Sequence, residues 1–281
     1  MCEFLSFFVS TDGKKVIAGD LRAHANSARL LGINYESATS RWREAEWTND
    51  DNGKSLVVRA YSTDRHDGRY LRDAIVSKFR SRTHLLKYLL SRLPAGLTTL
   101  NLSYATVPEN LVLPAGVKKI DLSYAIVPEK LMLPARLTTL DLSGAIVPEK
   151  LMLPAGLTTL YLCYATVPEK LMLPAGLTTI YLSGVTVPEK LVLPAGVTTL
   201  NLRGAIVPEK LVLPAGLTTL YLSGAAVPEN LMLPAGLTTL NLRGAIVPEK
   251  LVLPAGLITL DLHYATVPEN LMLPAGAKVY R

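Results

Sequence analysis

The chain has 281 residues, 49% of them hydrophobic and 19% charged, with a formal net charge of +6. No apolar run approaches the roughly 20 residues that a membrane-spanning helix needs, and two cysteines, Cys2 and Cys163, without metal-ligand spacing argue against a disulfide framework and a zinc site. The positive charge is uneven: residues 1–92 hold 16 Lys/Arg against 11 Asp/Glu, whereas residues 93–281 hold 13 against 12.

The first residues, "MCEFLSFFVSTDGKK", carry Glu3 and lack the leading basic stretch of a signal peptide. They read as a strand, and a cytoplasmic location is expected. "CEFLSFFVS" and "TDGKKVIAG" flank Asp12-Gly13 and predict a hairpin. "KSLVVRAYS" predicts a further strand. Tyr70, Leu71, Ala74, Ile75 and Phe79 recur at helical spacing, and Ser81 is placed to cap a second helix through "RTHLLKYLLSRL", which Pro94 closes. The segment 1–92 is therefore expected to be a small α+β domain that covers the apolar end of the segment beginning at residue 93. It loosely resembles N-terminal segments of some bacterial and phage repeat proteins. Most of its excess charge lies in residues 69–92. That makes a weak nucleic-acid candidate, against the simpler reading of two solvated helix faces.

Catalytic chemistry has little to stand on. "DRHDG" offers Asp64, His66 and Asp67 in a short polar loop without the helical spacing of a metal motif. His24 and His84 read as surface residues, and Cys2 has no positioned base. No phosphate-cradling glycine loop and no GxSxG occur. No catalytic residue, cofactor or metal is expected.

From residue 93 the chain repeats with a period of 20 residues. Nine units start at Leu93, Leu113, Leu133, Leu153, Leu173, Leu193, Leu213, Leu233 and Leu253, and "LPAGAKVYR" opens a tenth. The consensus L-P-A-G-L-T-T-L-x-L-x-x-A-x-V-P-E-K-L-M predicts a solenoid. In "LTTLNL", Leu97, Leu100 and Leu102 should face inward, with Thr99, Asn101 and Ser103 outward, as strand geometry requires. Strands of adjacent coils should pair in parallel at about 4.8 Å, so nine coils would extend roughly 43 Å. Val107, Leu111 and Leu113 should fill the other side, with Pro108 and Pro114 bending the return path.

The embedded pattern L-x-x-L-x-L-x-x-A-x-V resembles the leucine-rich repeat, and "LPAGLTTL" looks like the short LPX-type repeat of bacterial secreted effectors. The resemblance covers about two thirds of the chain. It implies a right-handed stack of coils, α/β or mostly β, with a parallel sheet on one face that binds proteins. Some effectors of that type carry a ubiquitin-ligase domain after the repeats. This sequence stops at the repeats, so that activity is not expected of it. Two letters depart from the pattern. Alanine (valine at 185) stands where the leucine-rich repeat has a loop-bonding asparagine, so the loop must satisfy its backbone in another way. Arg136 interrupts the glycine column of Gly96, which would cost about 1 kcal/mol if that column needed a positive φ.

Comparing the copies within this one chain separates fixed from varied letters. Three columns vary. The first reads Asn101, Asp121, Asp141, Tyr161, Tyr181, Asn201, Tyr221, Asn241, Asp261; the second includes Cys163, Arg203, Arg243 and His263; the third alternates Tyr and Gly from Tyr104 to Tyr264. All are expected on the strand face. Tyr161, Tyr181, Tyr221, Arg203, Arg243, Asp121, Asp141, Asp261 and His263 are the candidate binding residues, since Tyr and Arg supply many interface anchors. Drift at unconstrained positions is the competing account. The Glu/Lys pairs after Pro108 should form solvated columns of little energetic weight, and the Val112/Met132 column is expected to be partly buried. A non-catalytic protein-interaction scaffold is the leading expectation, with an end-to-end homodimer as a candidate assembly. An uncharacterised activity in the basic N-terminal domain is one alternative, and a self-assembling or structural solenoid is the other. Its ice-binding version needs paired threonine columns, and the Asn/Asp/Tyr column beside Thr139 breaks the pair.

Overall fold

The computed structural model describes residues 3–5, 46–50, 53–57, 60–62, 97–103 and 106–281. The expected helices, the basic stretch 69–92, the loop 64–68, Cys2, His24, His84 and the boundary at 92/93 lie outside the described residues. The chain divides into two compact units, Met1–Leu137 and Thr138–Arg281.

In the first unit, strand β1 (Glu3–Leu5) pairs antiparallel with β4 (Ala60–Ser62). Of the expected N-terminal hairpin only Glu3–Leu5, a strand, lies within the described residues. β2 (Glu46–Asp50) and β3 (Gly53–Val57) form an antiparallel hairpin that the sequence reading did not anticipate. The strand read from "KSLVVRAYS" is split into β3 and β4. β3 pairs in parallel with β5 (Leu97–Asn101), the first strand of the repeats, and β5 pairs in parallel with β6 (Lys119–Asp121).

The second unit is a ladder of short parallel strands, one per coil: β7 (Thr139–Asp141), β8 (Thr159–Tyr161), β9 (Thr179–Tyr181), β10 (Thr199–Asn201), β11 (Thr219–Tyr221), β12 (Thr239–Asn241), β13 (Thr259–Asp261) and β14 (Lys278–Tyr280). From β7 to β13 each residue pairs with the one 20 positions on, as Leu140 does with Leu160. From β7 to β13 the central residue of each strand is buried and its neighbours are half-exposed, the alternation that a pleated strand imposes. Leu157, Leu160, Leu162, Ala165 and Leu171 of one coil, and their equivalents in the others, make one continuous apolar core. Among the described residues there is no helix, and the ladder with its inward leucines is that of a β-solenoid.

The remainder of each coil is made of turns, and proline starts two of them. The carbonyl of Pro168 accepts the Leu171 N–H and that of Pro174 accepts the Leu177 N–H, and each coil repeats both bonds. Proline lacks a donor, so it suits a position whose N–H would otherwise need a partner. Between the two turns Leu171 points inward, and Met172 therefore points out. This overturns the expectation that the Val112/Met132 column is partly buried. Its nine side chains, from Val112 to Met272, are 78–85% exposed.

A third turn follows each strand, with Leu142 accepting from the Ala145 N–H. Its third residue takes a left-handed backbone: φ is 55–58° at Tyr124, Tyr164 and Tyr264 and 61–67° at Gly144, Gly184, Gly204, Gly224 and Gly244. The alternating Tyr/Gly column is thus a turn position where glycine is conformationally favoured. The column of Arg136 needs no such conformation, because among the described residues only Gly276 there has positive φ. Arginine is unstrained in the third coil.

The backbone bonds expected of the missing asparagine come from neighbouring coils. Gly144 N–H donates to the Cys163 carbonyl, Val147 N–H to Thr166 and Thr166 N–H to Ala145. The isolated bridge Ile146↔Thr166 belongs to this second, one-residue ladder. Alanine, buried beneath it, fills space and leaves the bonding to main chain.

Candidate functional site

Two structural ladders account for much of the strand face. The first is made of threonine. Thr158 Oγ1 donates to the Thr138 carbonyl at 3.0 Å, and Thr178, Thr198, Thr218 and Thr238 repeat the bond up the stack. The same carbonyls also accept backbone N–H groups, so the hydroxyls reinforce a ladder that already exists.

The second explains the Asn/Asp letters. Asp121 Oδ1 accepts both the backbone N–H and the hydroxyl of Ser123, Asp141 Oδ1 accepts the Ser143 N–H, and Asn201 and Asn241 accept the N–H groups of Arg203 and Arg243. These Asx turns close the ends of the strands that carry Asn or Asp, a local bonding that those side chains favour. Asp121 and Asp141 are therefore tied to their own coils, and Asp121 belongs to the first unit.

Tyrosine cannot close such a turn, and where it replaces Asn/Asp it does something else. Tyr161 and Tyr181 stack with ring centroids 4.5 Å apart and planes 5° from parallel, a spacing set by the strand ladder beneath them. Burial, followed by the neighbouring Tyr181 and Asp141, raises the Tyr161 hydroxyl above its ordinary pKa. Cys163 stands beside them, half-exposed and as a free thiol.

Arg203, Tyr221, Arg243 and Asp261 are brought together. They line a depression of about 670 Å3 on the strand face, with Asn201, Ser223, Asn241 and Tyr264. Gly224 and Gly244 form part of its lining, and a Cβ at Gly204, Gly224 or Gly244 would meet nothing within 4 Å. At Gly184 the Tyr164 ring already occupies the space where a Cβ would go. A tyrosine in the turn column thus covers its surroundings, and a run of glycines leaves them open. The Tyr/Gly column, expected on the strand face, is a turn column whose glycines make the hollow; the signal in the sequence is the uninterrupted run Gly184, Gly204, Gly224, Gly244.

The charges in the depression are not equivalent. Asp261 Oδ1 accepts the His263 N–H and faces His263 Nδ1 at 2.9 Å, while its Oδ2 accepts Asn241 Nδ2–H at 2.9 Å. Burial alone would raise the Asp261 carboxyl, but the backbone and ring of His263, with Arg243 nearby, outweigh it and hold the group below the usual carboxylate range. His263 supports this carboxylate and does not itself line the hollow. The Arg243 guanidinium lies 5.2 Å from the Tyr264 ring centroid. Arg203 is exposed, and no ion pair to it occurs among the described residues. Those residues also contain no cluster able to hold a metal ion and no helix long and apolar enough to cross a membrane.

One short parallel strand per 20-residue coil, an inward leucine lattice and a turn-built return path define the architecture. This is a β-solenoid of 20-residue, leucine-lined coils. No family model matches the chain, and no curated protein does. Among solved structures it is similar to YopM from Yersinia enterocolitica WA-314, at 20% identity and a TM-score of 0.38 over 68% of this chain. The match spans 65% of that protein's length.

Proposed function

We propose that the chain is a non-catalytic protein-interaction scaffold whose binding surface is the strand face around residues 201–264. One observation carries this reading. Of the letters that vary between near-identical coils, Arg203, Tyr221, Arg243, Asp261 and Tyr264 share one hollow, with an opening made by consecutive glycines. Tyr and Arg at the centre of a recessed surface are the residue types on which binding energy concentrates.

The experiment is affinity capture with wild type beside Gly224→Tyr and an Arg203→Ser/Arg243→Ser double variant, all checked for an unchanged circular dichroism spectrum. The scaffold reading expects a partner held by wild type and lost by both variants. Equal capture by all three would overturn the assignment of this face. Binding that survives in all three but disappears when the basic residues 69–92 are neutralised would move the function to the front segment.

A further inference from the structure

We infer that the depression takes an acidic peptide, its carboxylate or phosphate groups held by Arg203 and Arg243 and its main chain lying over Gly224 beside Tyr221. The inference rests on the reading of this face as the binding surface and adds the chemistry of the ligand.

The charge pattern selects the sign. Over residues 138–281 nine Lys/Arg balance nine Asp/Glu, so the side chains of the unit carry no net formal charge. The depression departs from that balance. Its one acid, Asp261, has both oxygens committed to His263 and Asn241. Neither arginine forms an ion pair with a carboxylate among the described residues, although Arg243 lies close enough to Asp261 to help hold that carboxyl down. Arg243 lies near the Tyr264 ring, and a guanidinium placed over an aromatic face keeps its in-plane N–H donors available for a carboxylate or phosphate. Two strand spacings separate the arginine coils, roughly 10 Å, a distance over which one extended segment can present two acidic side chains.

The geometry selects a peptide over a nucleic acid. A phosphate backbone is bound through many cationic contacts along a stripe, and only two cations line this hollow. Its volume, about 670 Å3, lies in the range of sites that enclose a small ligand or a few residues of chain. The missing side chains at Gly224 and Gly244 leave room for main chain to approach the sheet.

The test is selection of a random displayed peptide library on the full chain, counter-selected on Gly224→Tyr. That variant is expected to fold, because tyrosine already holds the same left-handed backbone at Tyr124, Tyr164 and Tyr264. Enrichment of Asp/Glu-rich peptides is expected, with affinity falling about tenfold in Arg203→Gln and in Arg243→Gln and declining with salt. Resynthesis with phosphoserine at the acidic positions identifies the source: tighter binding assigns phosphate, weaker binding assigns carboxylate. Enrichment of neutral, apolar or basic peptides would overturn the acidic ligand while leaving the binding face standing. No enrichment over the counter-selection would overturn both. Oligothymidylate binding more tightly than any selected peptide, and lost in Gly224→Tyr, would replace the peptide by a nucleic acid.

Discussion

At the scale of single residues, the same column does two jobs. The third residue of the post-strand turn must hold a positive φ, and tyrosine does so at Tyr124, Tyr164 and Tyr264. Left-handed backbone costs an ordinary residue about 1 kcal/mol relative to glycine. Gly204→Ala is therefore expected to lower stability by about 1 kcal/mol in denaturant titration, with Gly224→Tyr similar. A loss of several kcal/mol would mean that the space around these positions is not open. Asp261 gives a second residue-scale expectation. Its carboxyl is held below the usual range, so the stability it contributes is present above the unfolded value of about 3.9 and is lost as pH falls through the lower folded value. Asp261→Asn keeps an Asx acceptor, as Asn201 and Asn241 show, but removes the charge. Acid unfolding of that variant below about pH 4 should be less steep than that of wild type. An identical acid limb in both would remove Asp261 from the account.

At the scale of one coil, stability comes from the inward leucines, and the other letters adjust it. Leu160 is fully buried, and Leu160→Ala should cost about 2–5 kcal/mol through lost burial and the cavity left behind. Met172, 83% exposed, should tolerate alanine with a change within about 0.5 kcal/mol. Thr178→Val removes a hydroxyl bond to the Thr158 carbonyl, which also accepts two N–H groups; the expected loss is at most about 1 kcal/mol. Chemical denaturation of the three variants side by side checks the order. Most of the coil is legible in the sequence, because 20-residue recurrence and the L-x-x-L-x-L spacing dictate which side chains meet. The Met column is hidden because Leu171 and Leu173 flank Met172 in an apolar run outside the strands, where no simple alternation says which side chain faces out. The turn column is hidden because tyrosine, a large aromatic, gives no sign of a left-handed backbone. The candidate site is half legible: the varied letters Arg203, Tyr221, Arg243 and Asp261 mark its rim, but the hollow depends on glycines whose φ no letter displays.

At the scale of the whole molecule, a repeat unit interacts chiefly with its nearest neighbours, so stability should grow coil by coil. Excising 20 residues, from Thr166 to the position before Thr186, joins one coil to an equivalent point in the next. That variant should stay folded with reduced stability, whereas excising about half that length should unfold the second unit. Circular dichroism and thermal melting separate the two outcomes; equal damage from both would deny that the period is the structural unit. The near-identity of the coils also poses a folding problem. A strand that skipped its neighbour and docked on the coil beyond would bury the same leucines and close the same backbone bonds. The varied letters break that degeneracy. Tyr161 on Tyr181 and Asn241 on Asp261 each mark one particular junction. They act as page numbers in a book of identical pages, and erasing them would leave a chain still able to stack but unable to keep its order.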